Sequence, residues 1–223
     1  MRKTTDVAAL ILGWAFVAAA LFLLLRSGGL LRLEIDAALK DRHRARIVAE
    51  SWPELAQEAP VVGSGNASPI AIEFIDYQCV YCRRFHQTLD SIANVSELGI
   101  RLAIRHNPNP ANPTSRKAAL ASICARFQGE FESLHNYLMT SHDWYDSADW
   151  RDVSAAAGIP EPDSLVSCLA SERADSVLSI DSHIASTLDL RATPAFAIQG
   201  QGLVIGPLAP EEVERLAVSV TRK

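Results

Sequence analysis

The strand-like run Ile70-Ala71-Ile72-Glu73-Phe74-Ile75, the pair Cys79-Val80-Tyr81-Cys82 and the helical segment after it most constrain what this chain can fold into. Cysteines three apart at a helix start share one face and lie close enough to bond to each other. The first sits where free backbone N–H groups and the positive end of the helix dipole stabilise a thiolate, which lowers its pKa. A low-pKa thiolate beside a second thiol is what thiol–disulfide exchange requires. Other chemistry fits the motif poorly. Cys79, Cys82 and His86 have a zinc-like spacing, but no second C-x-x-C supplies a closed site, so no metal is expected. Covalent haem attachment needs His after the second cysteine, and residue 83 is Arg.

Around the motif, the elements alternate. Ile100–Ile104 reads as a second strand, and the Asn-Pro repeat from Asn107 to Pro113 forces a loop. Helical patterns follow over Ser115–Phe127, Glu130–Thr140, Trp150–Ala157, Asp163–Leu169 and Ser171–Leu188. The last has Ser171 as N-cap and a stripe of Val177, Ile180, Ile184 and Leu188. Trp144, Tyr145 and Trp150 are expected to cover the core of this helical region. Strands Ala195–Ile198 and Leu203–Ile205, joined by a Gly-rich turn, precede a helix opened by Pro210. The pattern is a β-α-β half, an all-helical insertion at about 114–188 and a β-β-α half. The histidines His43, His106, His135, His142 and His183 are expected at the surface or as caps.

Val7–Leu25 is free of charge over 19 residues and is preceded by Arg2 and Lys3. As a helix it would measure about 28 Å, close to the hydrocarbon thickness of a bilayer. Residues 1–29 are therefore read as a tail and transmembrane anchor, with a cleaved signal peptide as the rival. Basic residues after the span favour a cytosolic domain, whereas the short basic tail and the four cysteines favour export. Export is the reading adopted. Residues 30–60 read as a juxtamembrane helix and linker, in which Lys40, Arg42, His43, Arg44 and Arg46 form a solvated basic face. Pro60 marks the boundary of a domain spanning 61–223. Beyond residue 60, acidic residues outnumber basic ones by 19 to 13, which argues against a nucleic-acid surface.

Several segments together resemble the DsbA-like thiol–disulfide oxidoreductases of the thioredoxin superfamily. They are Glu73–Cys82, Arg105-His106, the helices from Ala118 through Gln128-Gly129-Glu130-Phe131 to His135, and Arg191-Ala192-Thr193-Pro194-Ala195-Phe196. The resemblance covers about 61–220 and implies a thioredoxin-like α/β fold with a helical insertion. It implies Cys79 as nucleophile and Cys82 as resolving thiol, with no cofactor. It also implies that Pro194, in a cis peptide bond, packs against the pair and that Thr193, Pro194 and Tyr81 hold an extended substrate segment. Glu73 matches a buried acid that assists proton transfer at the resolving cysteine in some relatives. Strand alternation equally allows it to face outward. Cys124 and Cys168 are either buried thiols or, as in some relatives, a second structural disulfide, worth about 4 kcal/mol for such a loop.

The resemblance carries an expected activity: disulfide formation in reduced or unfolded exported proteins, with a quinone-linked membrane thiol oxidase as redox partner. The catalytic domain would face the periplasm or its equivalent. The departures are Val80 and Tyr81 between the cysteines, where strong oxidants often have Pro and His, and Thr193 before Pro194. They keep a disulfide isomerase or reductase, and a dedicated assembly module for one envelope complex, as alternatives. Asn107 and Asn109 replace apolar residues usual beyond the His106 strand.

Overall fold

The structure, a computed structural model, describes Phe22, Arg32 and residues 34–63, 68–95, 101–145 and 149–221. The apolar run Val7–Leu25 lies outside the described residues apart from Phe22. Among the described residues no helix is long and apolar enough to cross a membrane.

Two compact units divide at His43/Arg44. In the first, residues 34–43 are helical and exposed. The second is organised by a five-stranded sheet in the order β1-β3-β2-β4-β5, formed by Val61–Gly63, Ala71–Ile75, Arg101–His106, Ala195–Ile198 and Gly202–Ile205 in chain order. β2 and β3 are parallel, and the other pairs are antiparallel. Every residue of β2 is buried, because helices cover both faces of the sheet.

Strand alternation sorts the side chains. Ala71, Ile75, Leu102, Ile104, Phe196 and Ile198 belong to the larger core, with the helices α3 (Val80–Val95), α4 (Pro113–Phe127), α5 (Phe131–Thr140) and α9 (Pro210–Thr221). Ile72, Phe74, Ala103, Ala195 and Ala197 belong to the second core, with Val48 and Leu55. Val48 lies in the helical stretch 34–50, here α1, and Leu55 in α2 (Trp52–Ala56). Residues 44–56 are thus part of the unit, and the boundary read at Pro60 moves to Arg44. Arg44, expected on a solvated face, instead donates to the carbonyls of Leu188 and Asp189 and to the Asp189 carboxylate. Gly202 completes this face: at φ +103° a Cβ there would come within 2.9 Å of Ala45 Cβ.

The insertion adds α6 (Trp150–Ala156), α7 (Pro162–Cys168) and α8 (Glu172–Thr187) between α5 and β4. Asn112, Asp149 and Ser171 cap α4, α6 and α8 through their side chains. Trp144 and Trp150 are buried, as expected of residues covering this core. Of the apolar stripe expected on α8, Leu188 is buried and Val177 and Ile184 pack partly buried against the cores, but Ile180 is 55% exposed. Ala174, Leu178, Asp181 and Ala185 complete the inward face. The helix turns this way because Asp181 has buried partners. Arg105 Nη1 donates to it at 2.7 Å, and His106 donates through its backbone N at 2.9 Å and Nδ1 at 2.8 Å.

His106 and His135, expected at the surface, are both buried. The Tyr77 hydroxyl lies 3.1 Å from His135 Nδ1, and the His86 and His135 rings meet edge to face at 5.0 Å. Burial, with the neighbouring His86 and His106, holds the His135 pKa well below the ordinary histidine value. Below about pH 6.5 the unfolded chain therefore takes up a proton that folded His135 refuses. This contribution to stability should fall by about 1.4 kcal/mol per pH unit as acid is added. Urea denaturation of wild type and His135→Phe checks it: their stability difference should depend on pH below about 6.5 and be constant above.

Candidate active site

Cys79 and Cys82 are both free thiols at the start of α3, where the chain leaves the centre of the sheet. The approach is held by Asp76, whose carbonyl accepts from Cys79 N at 3.0 Å and whose Oδ1 accepts from Gln78 N at 2.9 Å. Cys79 is half-buried, and its Sγ donates to the Thr193 carbonyl at 3.1 Å. Thr193 precedes the buried Pro194 in a cis peptide bond at the entry to β4. Tyr81 and Val80 are 55% and 51% exposed beside the thiol.

The two sulfurs have opposite electrostatics. The Cys79 pKa is lowered to about 5, first by a hydrogen bond from the Cys82 side chain. Partial burial opposes this, while the Thr193 hydroxyl and the backbone N–H groups of Cys82 and Tyr81 add to it. As a thiol, Cys79 gives its proton to the Thr193 carbonyl; as a thiolate, it collects donors from the first turn of α3. Cys82 is fully buried. Its pKa is pushed up by that burial, then by the hydrogen bond to Cys79 and the charge of Glu73.

Glu73 lies in the middle of β2, paired with Ile104 and Phe196, which both face the larger core. By strand alternation it faces the same side, the side of Cys82. The outward-facing alternative does not hold, because this residue is 4% exposed. Burial and then the Cys79 charge raise its pKa to about 8. A carboxyl so placed carries a proton at neutral pH and can exchange it with a leaving or attacking sulfur. Among the described residues no cluster of His, Cys, Asp and Glu fits a metal ion.

Away from this site, Cys124 in α4 and Cys168 in α7 form a disulfide. Two residues near the thiols were not singled out from sequence for any role. Arg83, next to Cys82, is buried and donates to the carbonyls of Leu138 (2.7 Å), Thr140 (3.3 Å) and Ser141 (2.8 Å), tying the redox helix to the end of α5. Asp76 is the other. An acid three residues before a helix-opening cysteine was its only signal.

Comparison with known proteins agrees with this geometry. The sequence model of the family described as thioredoxin matches residues 56–217, more than half of the chain. The chain belongs to the thioredoxin family. Solved structures share its fold. A linker-deletion mutant of ScsC from Proteus mirabilis superposes with a TM-score of 0.70 at 20% identity, covering 92% of this chain and 95% of the other. The thiol-disulfide exchange protein alpha-DsbA2 from Wolbachia pipientis gives 0.65 at 19% identity, covering 81% and 97%. Among curated proteins, the chain is 30% identical over 144 residues to a protein named Na(+)/H(+) antiporter NhaA 1 from Mycolicibacterium gilvum. That match takes in 63% of this chain and 23% of the relative, so the chain spans about a quarter of the length of the curated relatives it matches.

Proposed function

We propose that this thioredoxin-family chain is a thiol–disulfide oxidoreductase that forms disulfides in reduced exported proteins. The observation that carries the reading is the split between an acidic, half-buried Cys79 and a buried Cys82 whose thiol is held protonated. In the oxidised enzyme, a client thiolate attacks Cys79 Sγ and the Cys79–Cys82 bond breaks. Cys82 leaves with the electron pair and takes a proton from Glu73. A second client thiolate then attacks the client sulfur of the mixed disulfide, and Cys79 departs as a thiolate. The client has lost two electrons and the enzyme has gained two.

Magnitudes favour this direction. At pH 7, lowering a thiol pKa from about 8.5 to about 5 raises its thiolate fraction roughly thirtyfold. A Brønsted slope of about 0.5 costs roughly fiftyfold in nucleophilicity, so Cys79 gains nothing as an attacker. As a leaving group it gains outright, because a lower-pKa thiolate departs faster and the reduced enzyme is stabilised. Thr193 beside Cys79 supports isomerase or reductase activity as the second reading. Comparing oxidation of a reduced dithiol peptide with reduction of insulin separates the two. The first rate should be the larger.

Within this proposal the 19-residue run Val7–Leu25 anchors the protein, with the catalytic unit outside the cytoplasm. A quinone-linked membrane thiol oxidase would reoxidise Cys79 and Cys82. A solved neighbour described as a periplasmic thioredoxin-like protein from Salmonella enterica supports the compartment.

The role given to Glu73 has its own test. Its folded pKa of about 8 exceeds the unfolded value, so its contribution to stability is complete below about pH 4.5 and is lost as pH rises towards 8. Glu73→Gln should therefore stabilise the reduced protein by about 2–3 kcal/mol at pH 7, an advantage that vanishes in acid. Exchange should slow by about 10²-fold in the same variant. Between about pH 4.5 and 6.5 the Glu73 and His135 contributions run in opposite directions and offset each other in the wild type. Each shows only against its own variant.

A further inference from the structure

Beside Cys79 a groove of about 730 Å³ opens between the 107–112 loop and residues 190–193. The loop is fastened to the redox segment. Asp76 Oδ2 accepts from Asn109 N at 3.0 Å and from Ser115 Oγ at 3.1 Å, and the Asn112 amide donates to the Gln78 side chain. The wall is preformed rather than shaped by what binds it.

The backbone of this wall has no donor left to offer. Asn107 N donates to Ile75 O, Asn109 N to Asp76, Ala111 N to Asn109 Oδ1 and Asn112 N to Asn109 O. Pro108 and Pro110 have no N–H. Asn112 is engaged at both ends of its side chain, since its Oδ1 caps α4. On the loop wall the side-chain groups not engaged in these bonds are the whole amide of Asn107 and the NH₂ of Asn109, and the Gln78, Tyr81, Arg191 and Thr193 side chains bring further hydrogen-bonding groups to the groove. Val80, Tyr81 and Leu190 also line it, but apolar area of that kind accepts any extended chain.

We infer that this groove prefers client segments with hydrogen-bonding side chains beside the reacting cysteine, and that Asn107 and Asn109 set the preference. The inference rests on the oxidoreductase reading and adds the class of client. An apolar flank would cover two amides without pairing them, and a buried polar group left unpaired costs more than a made hydrogen bond returns.

The test uses the full chain and two reduced dithiol peptides of identical cysteine spacing, one flanked by Ser, Thr and Asn and the other by Leu and Val. The polar peptide should have the higher kcat/KM by about tenfold. Asn107→Leu with Asn109→Leu should bring the ratio to within about twofold while leaving the acidity of Cys79 unchanged. Asn107→Ala with Asn109→Ala should do the same, which guards against misfolding of the larger substitution. Equal rates on both peptides, an apolar preference, or an unchanged ratio in both variants would overturn the inference while leaving the oxidoreductase reading intact. A wild type inert towards both peptides would overturn the two together.

Discussion

Cys79→Ser is expected to lower exchange to the uncatalysed rate, and Cys82→Ala to lower it as far in turnover while leaving Cys79 able to react once. The two losses differ in kind. A serine hydroxyl cannot form a disulfide, so the first variant should carry no client at all. In the second, the mixed disulfide at Cys79 has no neighbouring sulfur to resolve it and should accumulate. Cys82→Ala also removes the largest single cause of the low Cys79 pKa, the hydrogen bond between the two side chains. The remaining thiol should titrate at least about one unit higher. Non-reducing electrophoresis with a monothiol client reads out the adduct: present in Cys82→Ala, absent in Cys79→Ser. An adduct in both variants would mean that another thiol does the chemistry.

Asp181→Ala should be the most destabilising single change away from the thiols. Burial alone would raise the Asp181 pKa, but the hydrogen bond and charge of His106 and the charge of Arg105 outweigh it and lower the value. Arg105 also donates to the carbonyls of Leu55 and Gln57, so the cluster fastens α2 against the second core. Removing the carboxylate leaves a buried guanidinium uncompensated, which costs about 3–5 kcal/mol. At about 2–4 °C per kcal/mol for a domain of this size, Tm should fall by roughly 6–20 °C. The pair Asp181→Leu with Arg105→Met should lose less than Asp181→Ala alone, because it removes the charge together with its partner. The Asp181 contribution should persist above about pH 4 and disappear as pH falls through its lowered pKa.

Which of these features a reader of the sequence can find depends on how local their causes are. The thiol pair, its strand and its helix follow from spacing within a dozen residues. The insertion helices are bounded by their own caps, Asn112, Asp149 and Ser171. Glu73 is harder: alternation gives it a face, but which face carries the redox helix is decided by pairing with Ile104 and Phe196 far along the chain. Asp181 is harder still. It sits among the apolar residues Val177, Ile184 and Leu188 in and just after α8, and only Arg105, 76 residues earlier, explains why a carboxylate is tolerated there. β1 has three residues, too few for a period to show. Arg44 looked solvated because its acceptors, Leu188 and Asp189, lie at the far end of the domain sequence. Asn107 and Asn109 were visible as departures from the family, but which of their amide groups stay free is decided by the folded loop, where Asn109 Oδ1 accepts from Ala111 N.

The central claim is that Cys79 ionises far more readily than Cys82. Thiolate absorbance of the reduced chain, titrated against pH and assigned with Cys79→Ser, measures it directly. A transition near pH 5 that is lost in the variant, with Cys82 silent to the alkaline end of the titration, is the expected result. A first transition near about 8.5, the value of an ordinary cysteine, would contradict the account.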